Sequence, residues 1–130
     1  MHTIKALVLA GVLAVLAQGT AFAGDWYQYS DELFHKLQAE DKPILIEINA
    51  DWCPICAKQR PIVDRLTSTD SLKNIHILLV NFDGEKSVVR HFGATEQSTL
   101  IAFHGDKETG RSVGATDTLA IKKLLESAEG

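Results

Sequence analysis

The two cysteines of the chain, Cys53 and Cys56, are the residues whose type and spacing point most directly to chemistry. An apolar run at residues 44–48 precedes them, and apolar residues at helical spacing follow them. At the start of a helix, the helix dipole and the free backbone N–H groups stabilise a thiolate over a thiol. A strand that leads two close cysteines into a helix is therefore typical of a site that forms and breaks disulfides.

The spacing predicts a different role for each cysteine. We expect Cys53, at the exposed start of the helix, to attack a substrate disulfide, and the more buried Cys56 to resolve the mixed disulfide. Residues three apart lie on the same face of a helix, so the two sulfurs can meet without backbone movement. A purely structural disulfide is the alternative. It is less favoured, because closing so short a loop removes only about 2 kcal/mol of unfolded-chain entropy.

Glu47 and Trp52 are further candidates because they flank the cysteine pair. Glu47 has apolar neighbours in its strand, which predicts a buried carboxyl with a raised pKa that accepts a proton from Cys56. The alternative is an exposed glutamate at a sheet edge. Trp52 either covers the site as a surface aromatic or packs as an ordinary apolar residue. Lys58 and Arg60 are interpreted as solvated helix charges.

The chain begins with the pattern of a secretory signal. Lys5 is followed by an apolar run at residues 6–17, and Ala21-Phe22-Ala23 has small residues at the positions that a signal peptidase reads. We expect cleavage after Ala23, which leaves one domain at residues 24–130; an uncleaved membrane anchor is the alternative. Export would place the cysteines where disulfides persist. The net charge of −4, without basic clusters, argues against nucleic acid or an anionic membrane as the main partner.

Apolar periodicity and turn residues predict helices and strands in alternation. Pro61 falls inside the second helix, where it should introduce a kink. We expect Thr116 or Thr118 to cap the last helix. The order predicts an α/β domain with a mixed central sheet flanked by helices and closed by an antiparallel hairpin. The predicted helices start at residues 31, 53 and 87 and near residue 118, and the predicted strands are 44–49, 75–82, 99–104 and 110–113.

The strand and its Trp-Cys-Pro-Ile-Cys motif resemble the thioredoxin family, and specifically its exported bacterial members. Residues 44–56 resemble the family's central strand and active-site turn, and Pro61 falls at the position of its helix-kinking proline. Residues 92–103 resemble the segment that leads into the third core strand, and residues 113–115 resemble the turn before the last helix. The resemblance implies a thioredoxin-like fold and thiol–disulfide exchange without a cofactor or metal.

Two residues depart from the family pattern. Glu47 stands where the family has a buried aspartate, and Ser98 stands where it has a cis-proline facing the cysteines. A cis bond without proline costs about 2.5–4 kcal/mol, so we expect the bond before Ser98 to be trans. In the family, the loop that contains this cis-proline presents its backbone to the substrate. The resemblance therefore implies a substrate-binding role for residues around the cysteines, namely Trp52, Pro54, Ile55, Ser98 and Thr99.

The resemblance also bears on redox direction and partners. Strongly oxidising members of the family have a histidine between the two cysteines, and this chain has none. The absence of this histidine favours a reductase or an intermediate reduction potential. The resemblance to the family implies a periplasmic monomer that acts on protein disulfides and receives electrons from a membrane thiol-reductant partner. A binding or redox-sensing module, or a disulfide-forming oxidant, remains the alternative. The scattered histidines form no spaced pair with the cysteines, so no metal site is expected; they are His35, His76, His91 and His104.

Overall fold

The computed structural model describes residues 24–130, so the expected signal segment and its cleavage after Ala23 lie outside the described residues. Apart from one additional strand at the start, the order of helices and strands within this range agrees with the predicted alternation. Among these residues, no helix is both long enough and apolar enough to cross a membrane. The elements of residues 24–130 are β1 (Asp25–Gln28), α1 (Asp31–Ala39), β2 (Pro43–Asn49), α2 (Pro54–Thr67), β3 (His76–Asn81), α3 (Lys86–His91), β4 (Thr99–His104), β5 (Lys107–Val113) and α4 (Thr118–Ala128).

The sheet is mixed, with the strand order β1-β3-β2-β4-β5. Strand β3 runs parallel to both β1 and β2, whereas β4 runs antiparallel to β2 and β5 runs antiparallel to β4. The predicted mixed sheet with an antiparallel closing hairpin is therefore confirmed. Strand β2 lies at the centre, and its residues from Ile44 to Ile48 are all buried. Helices cover both faces of the sheet, which explains the nearly continuous apolar sequence of this strand.

Strand β2 directs alternate side chains to opposite faces of the sheet. Ile46 and Ile48 belong to a core that contains aromatic side chains of α1 and β4 and the one that caps the C-terminus of α3. Leu45 belongs to a second core, which contains Val63 of α2 and several residues of α4. Glu47 has the same parity as Leu45, so the strand directs its carboxyl towards the face that α2 covers.

The two edge strands differ from the sequence prediction. Strand β1 was not predicted, and β5 begins at Lys107 rather than at residue 110. Both strands lie at sheet edges and are largely exposed, so neither has the apolar run that marks a buried strand. A register shift in the β4–β5 pairing, between Ala102 and Phe103, further breaks the alternation.

Side-chain acceptors cap both α1 and α4, and the cap of α4 corrects a prediction. Ser30 caps α1, because its side chain accepts a hydrogen bond from the Leu33 N–H at 3.2 Å. The cap of α4 is Asp117, whose carboxylate accepts from the Ala120 N–H at 2.8 Å, so the expectation of Thr116 or Thr118 was wrong. An aspartate between two threonines prevails because its carboxylate is the better acceptor and is also favoured by the helix dipole.

Candidate active site

The first turn of α2 holds the sulfur of Cys53 at the helix N-terminus. Cys53 is the N-cap residue, and its Sγ accepts a hydrogen bond from the Cys56 N–H at 3.1 Å. Pro54 occupies the first helical turn, where its missing N–H costs nothing and its fixed φ suits the helix. The sequence therefore builds a helix terminus that favours negative charge on the Cys53 sulfur.

Cys53 and Cys56 form a disulfide, with their Cα atoms 5.3 Å apart. Both residues are only 3% exposed. The expectation that Cys53 would be exposed is therefore wrong for this oxidised form, whereas Cys56 is buried as expected. The two cysteines pack with Ala50, and the partly buried side chains of Ile55 and Phe82 cover them. The difference between the cysteines lies in the helix position of Cys53 and not in solvent exposure.

Glu47 is fully buried, which excludes the alternative of an exposed edge residue. Neither of its carboxylate oxygens has a hydrogen-bond partner among the described residues. Burial raises the pKa of Glu47 from 4.5 to about 7, and the positive charge of Arg60 opposes this rise. A carboxyl with such a pKa can exchange a proton near neutral pH.

A groove with a volume of about 690 Å³ opens beside the disulfide. Residues of β1, of the active-site turn and of α2 line it, among them Trp26, Cys56 and Arg60. The Arg60 Nε lies 4.0 Å from the Glu47 Oε1. The interpretation of Arg60 as a purely solvated helix charge was therefore wrong, whereas Lys58 is exposed as expected.

The predicted binding residues of the active-site turn differ in exposure. Trp52 is 60% exposed, and its Nε1–H donates to the Asp83 Oδ2 at 2.7 Å. This hydrogen bond holds the ring at the surface, so Trp52 is not an ordinary packing residue. Pro54 is exposed, and Ile55 is half-buried against the disulfide. Of these turn residues, Ile55 thus provides apolar surface in contact with the cysteine pair.

Ser98 and Thr99 lie at the start of β4. Every peptide bond in residues 24–130 is trans, so the expected trans bond before Ser98 is confirmed. Ser98 is buried and has a φ of 59°, a left-handed conformation that few non-glycine residues adopt. Thr99 is also buried; it pairs with Ile48 of β2, and its hydroxyl donates to the Glu96 carbonyl at 2.7 Å.

Gln59 was missed by the sequence analysis, although it is fully buried. Its Nε2 donates to the Ser98 carbonyl at 3.1 Å and to the Ala115 carbonyl at 2.9 Å. The Ser98 carbonyl also accepts from the Gly114 N–H at 2.9 Å. A signal was present, because Cys56, Gln59 and Val63 have the spacing of one buried helix face. A polar residue on such a face needs a partner, and here the partners lie in two distant loops.

The histidines do not assemble a metal site with the cysteines. Within residues 24–130 there is no group of three or more histidine, cysteine, aspartate or glutamate side chains that could hold a metal ion. His104, for example, bonds to the Ala128 carbonyl near the end of the chain, and His35 contacts Gln38 within α1.

Sequence and structure comparisons agree with this geometry. The sequence profile of the thioredoxin family matches residues 26–127. The chain is 29% identical to thioredoxin 1 of Nostoc sp. over 100 residues, which cover 76% of this chain and 92% of that relative. It is 32% identical to a thioredoxin of Chlamydia muridarum over 82 residues, which cover 63% of this chain and 78% of that relative.

Among solved structures, the crystal structure of Trxlp from Edwardsiella tarda EIB202 superimposes with a TM-score of 0.75 at 34% sequence identity. The superposition covers 78% of this chain and 98% of that one. With a disulfide at the head of α2 and a mixed five-stranded sheet, these matches show that the chain belongs to the thioredoxin family of thiol–disulfide oxidoreductases.

Proposed function

We propose that this chain is a periplasmic protein-disulfide reductase that acts as a monomer and is exported by its first 23 residues. The observation that carries the proposal is the Cys53–Cys56 pair at the N-terminus of α2, together with the carboxyl of Glu47, which is buried on the sheet face that this helix covers. A thiolate source, a resolving thiol and a proton acceptor are the groups that disulfide exchange requires.

In the reduced form, the Cys53 thiolate attacks one sulfur of a substrate disulfide. A new bond forms between Cys53 and that sulfur, and the other substrate sulfur leaves as a thiolate and takes up a proton. Cys56 then gives its proton to Glu47, attacks the Cys53 sulfur and releases the second substrate thiolate. Two electrons have passed to the substrate, and the chain is left as the Cys53–Cys56 disulfide. A membrane thiol-reductant partner would return it to the dithiol.

The reducing direction is supported by the surroundings of Cys53. The side chains of Pro54 and Ile55 have no hydrogen-bond donor, so neither can stabilise the thiolate of the reduced form. A less stabilised reduced form gives up its electrons more readily, which lowers the reduction potential. We expect equilibration with glutathione to give a potential below about −200 mV; a value near −120 mV would instead indicate a disulfide-forming oxidant.

A trapping experiment tests the reaction and the order of the cysteines. Cys56→Ala removes the resolving thiol, so mixed disulfides should accumulate on Cys53 and be visible on non-reducing gels of periplasmic extract. The matched variant Cys53→Ala should capture none, and the wild type should reduce insulin in the presence of dithiothreitol. Capture by Cys53→Ala, with none by Cys56→Ala, would show that the roles of the two cysteines are reversed.

Export has a separate test. Alkaline phosphatase folds to an active enzyme only where its disulfides form. We expect a fusion after Gly130 to be active in a Gram-negative host, and the same fusion without residues 1–23 to be inactive. Equal activity of the two fusions, or inactivity of the full one, would contradict an export role for residues 1–23.

The loop that ends at Ser98, directly before β4, is called the Ser98 loop, and it supports a second candidate function, a binding or redox-sensing module. The Ser98 carbonyl already accepts from Gln59 and from Gly114, so it has little capacity left for a substrate backbone. The insulin assay separates the two candidates. A module of this kind would reduce no insulin, and Cys53→Ser would leave its binding intact.

A further inference from the structure

The buried carboxyl of Glu47 has few groups that can stabilise its charge. Its side chain is fully buried, and both oxygens lack a hydrogen-bond partner among the described residues. Its neighbours across the sheet, Leu79 of β3 and Leu100 of β4, carry no charge. An ionised carboxylate in such a place is costly unless a cation compensates it.

Arg60 is the cation that reaches this carboxyl. Its Nε lies 4.0 Å from the Glu47 Oε1, a distance over which the two charges attract without a direct hydrogen bond. Arg60 follows Cys56 by four residues, so the two side chains project from the same side of α2. Both line the groove beside the disulfide.

Trp26 of β1 contacts the guanidinium of Arg60. The Arg60 Cζ lies 5.4 Å from the centre of a Trp26 ring, which is the range of a cation–π interaction. Arg60 is half-exposed, and a free arginine side chain of this kind would sample many rotamers. Stacking on a ring supplied by β1 therefore keeps its charge near Glu47.

The remaining charges of the groove have the opposite sign. Asp51 of the active-site turn and Asp64 of α2 line it and are exposed, while β2 and β3 contribute Asn49 and Leu79. Arg60 is the one cation among the described residues that line the groove. Its attraction lowers the pKa of Glu47 against the rise that burial causes.

We propose that Arg60 is a positioning residue for disulfide exchange: stacked on Trp26, it keeps Glu47 ionised often enough to take the proton of Cys56. The proposal rests on the proposed function, in which Glu47 accepts that proton. The step is balanced, because the Cys56 S–H proton moves to the Glu47 carboxylate and leaves a Cys56 thiolate. That thiolate then attacks the Cys53–substrate bond.

The test replaces Arg60 and follows the titration of Glu47 as well as the reaction. Carbon-13 NMR of the carboxyl in the disulfide form gives the pKa of Glu47 directly. Single-turnover decay of the Cys53–substrate mixed disulfide between pH 5 and 9 gives the pH profile of resolution. We expect Arg60→Met to raise both midpoints by about one pH unit and to slow resolution at pH 7 about fivefold, because the ionised fraction of Glu47 falls.

The controls separate charge from structure. Arg60→Lys keeps the cation and should restore most of the wild-type profile, and Arg60→Gln should behave like Arg60→Met if the latter folds poorly. Lys58→Met removes an exposed charge from the same helix and should leave both midpoints unchanged. Unaltered midpoints in folded Arg60→Met or Arg60→Gln would overturn the proposal.

Failure of the proposed function would look different. If the wild type reduced no disulfides, the NMR titration of Glu47 would still respond to Arg60→Met, and only the role of the carboxyl in catalysis would be lost. If the wild type were active and its Glu47 pKa were insensitive to Arg60, the positioning role would be lost and the reductase proposal would remain.

Discussion

Cys53 and Glu47 lie in opposite electrostatic surroundings, although both belong to one site. The Cys53 sulfur lies at the N-terminus of α2, where backbone N–H groups favour negative charge. Glu47 lies in the apolar interior beneath that helix, where burial favours the neutral acid. A proton can therefore rest on the carboxyl while a sulfur carries the negative charge, which is the distribution that disulfide exchange needs.

At the scale of the residue, Glu47→Gln should slow the second step of exchange and spare the first. The amide has nearly the same shape but cannot accept the Cys56 proton, so resolution at pH 7 should fall by about a hundredfold, as for loss of a general base. Stopped-flow measurement with a fluorescent disulfide substrate separates attack from resolution. Glu47→Asp keeps a carboxyl and should retain a pH-dependent step. Equal slowing of both steps in Glu47→Gln would count against a proton-transfer role.

The residues that the sequence analysis identified are those with a local signature. Cys53 and Cys56 are recognisable because they follow an apolar strand, and Glu47 is recognisable because its neighbours in that strand are isoleucines. The roles of Gln59 and Arg60 have no such local signature, because the partners of these two side chains come from segments distant in sequence. The Arg60 side chain stacks on Trp26 of β1, a strand too short and too exposed to be predicted.

At the scale of the element, α2 connects the disulfide to two loops that are distant in sequence. Cys56, Gln59 and Val63 form its buried face. Through its two hydrogen bonds, Gln59 links this helix to the Ser98 loop and to the turn at Ala115. The position that a cis-proline fixes in the family is thus held here by a side chain from the active-site helix.

Gln59→Leu should therefore loosen the loop without changing the sulfurs. The Ser98 and Ala115 carbonyls each lose a donor, but the Ser98 carbonyl keeps the Gly114 N–H, so the loss should cost about 1 kcal/mol of stability. We expect a lower urea midpoint and a higher KM for a protein disulfide, with the reduction potential unchanged. Lys58→Leu, an exposed change on the same helix, is the control. A shift in potential as large as the effect on KM would contradict a role confined to the loop.

The cap of α4 offers a second prediction for an element. Asp117→Ala removes the side chain that accepts the Ala120 N–H, and the free energy of unfolding should fall by about 1 kcal/mol. Urea denaturation monitored by tryptophan fluorescence measures this change. Thr116→Ala and Thr118→Ala should each cost much less. A larger loss for either threonine would restore the cap that the sequence analysis favoured.

At the scale of the whole molecule, the alternating side chains of β2 contribute to a core on each face of the sheet and to the active site. Strands β2, β3 and β4 were predictable because burial on both faces demands apolar residues at nearly every position. The edge strands β1 and β5 were less predictable, because exposed strand positions do not require apolar residues. The groove could not be predicted, since it forms where β1, the active-site turn and α2 meet.

Burial of Glu47 also makes the stability of the whole molecule depend on pH. In the folded chain its pKa is about 7, against 4.5 for a free glutamate. Its contribution to stability is fully present below about pH 4.5 and is lost as the pH rises through about 7, because the unfolded chain releases this proton first.

We therefore expect the free energy of unfolding of the disulfide form to decline between pH 4.5 and 7 by up to about 3 kcal/mol from this group. Urea denaturation at several pH values, without reductant, measures the decline. Glu47→Gln lacks the titrating group, so the difference between the two proteins isolates its effect from the other ionisable residues. Parallel pH curves for the wild type and Glu47→Gln would mean that the carboxyl titrates alike in the folded and unfolded chains.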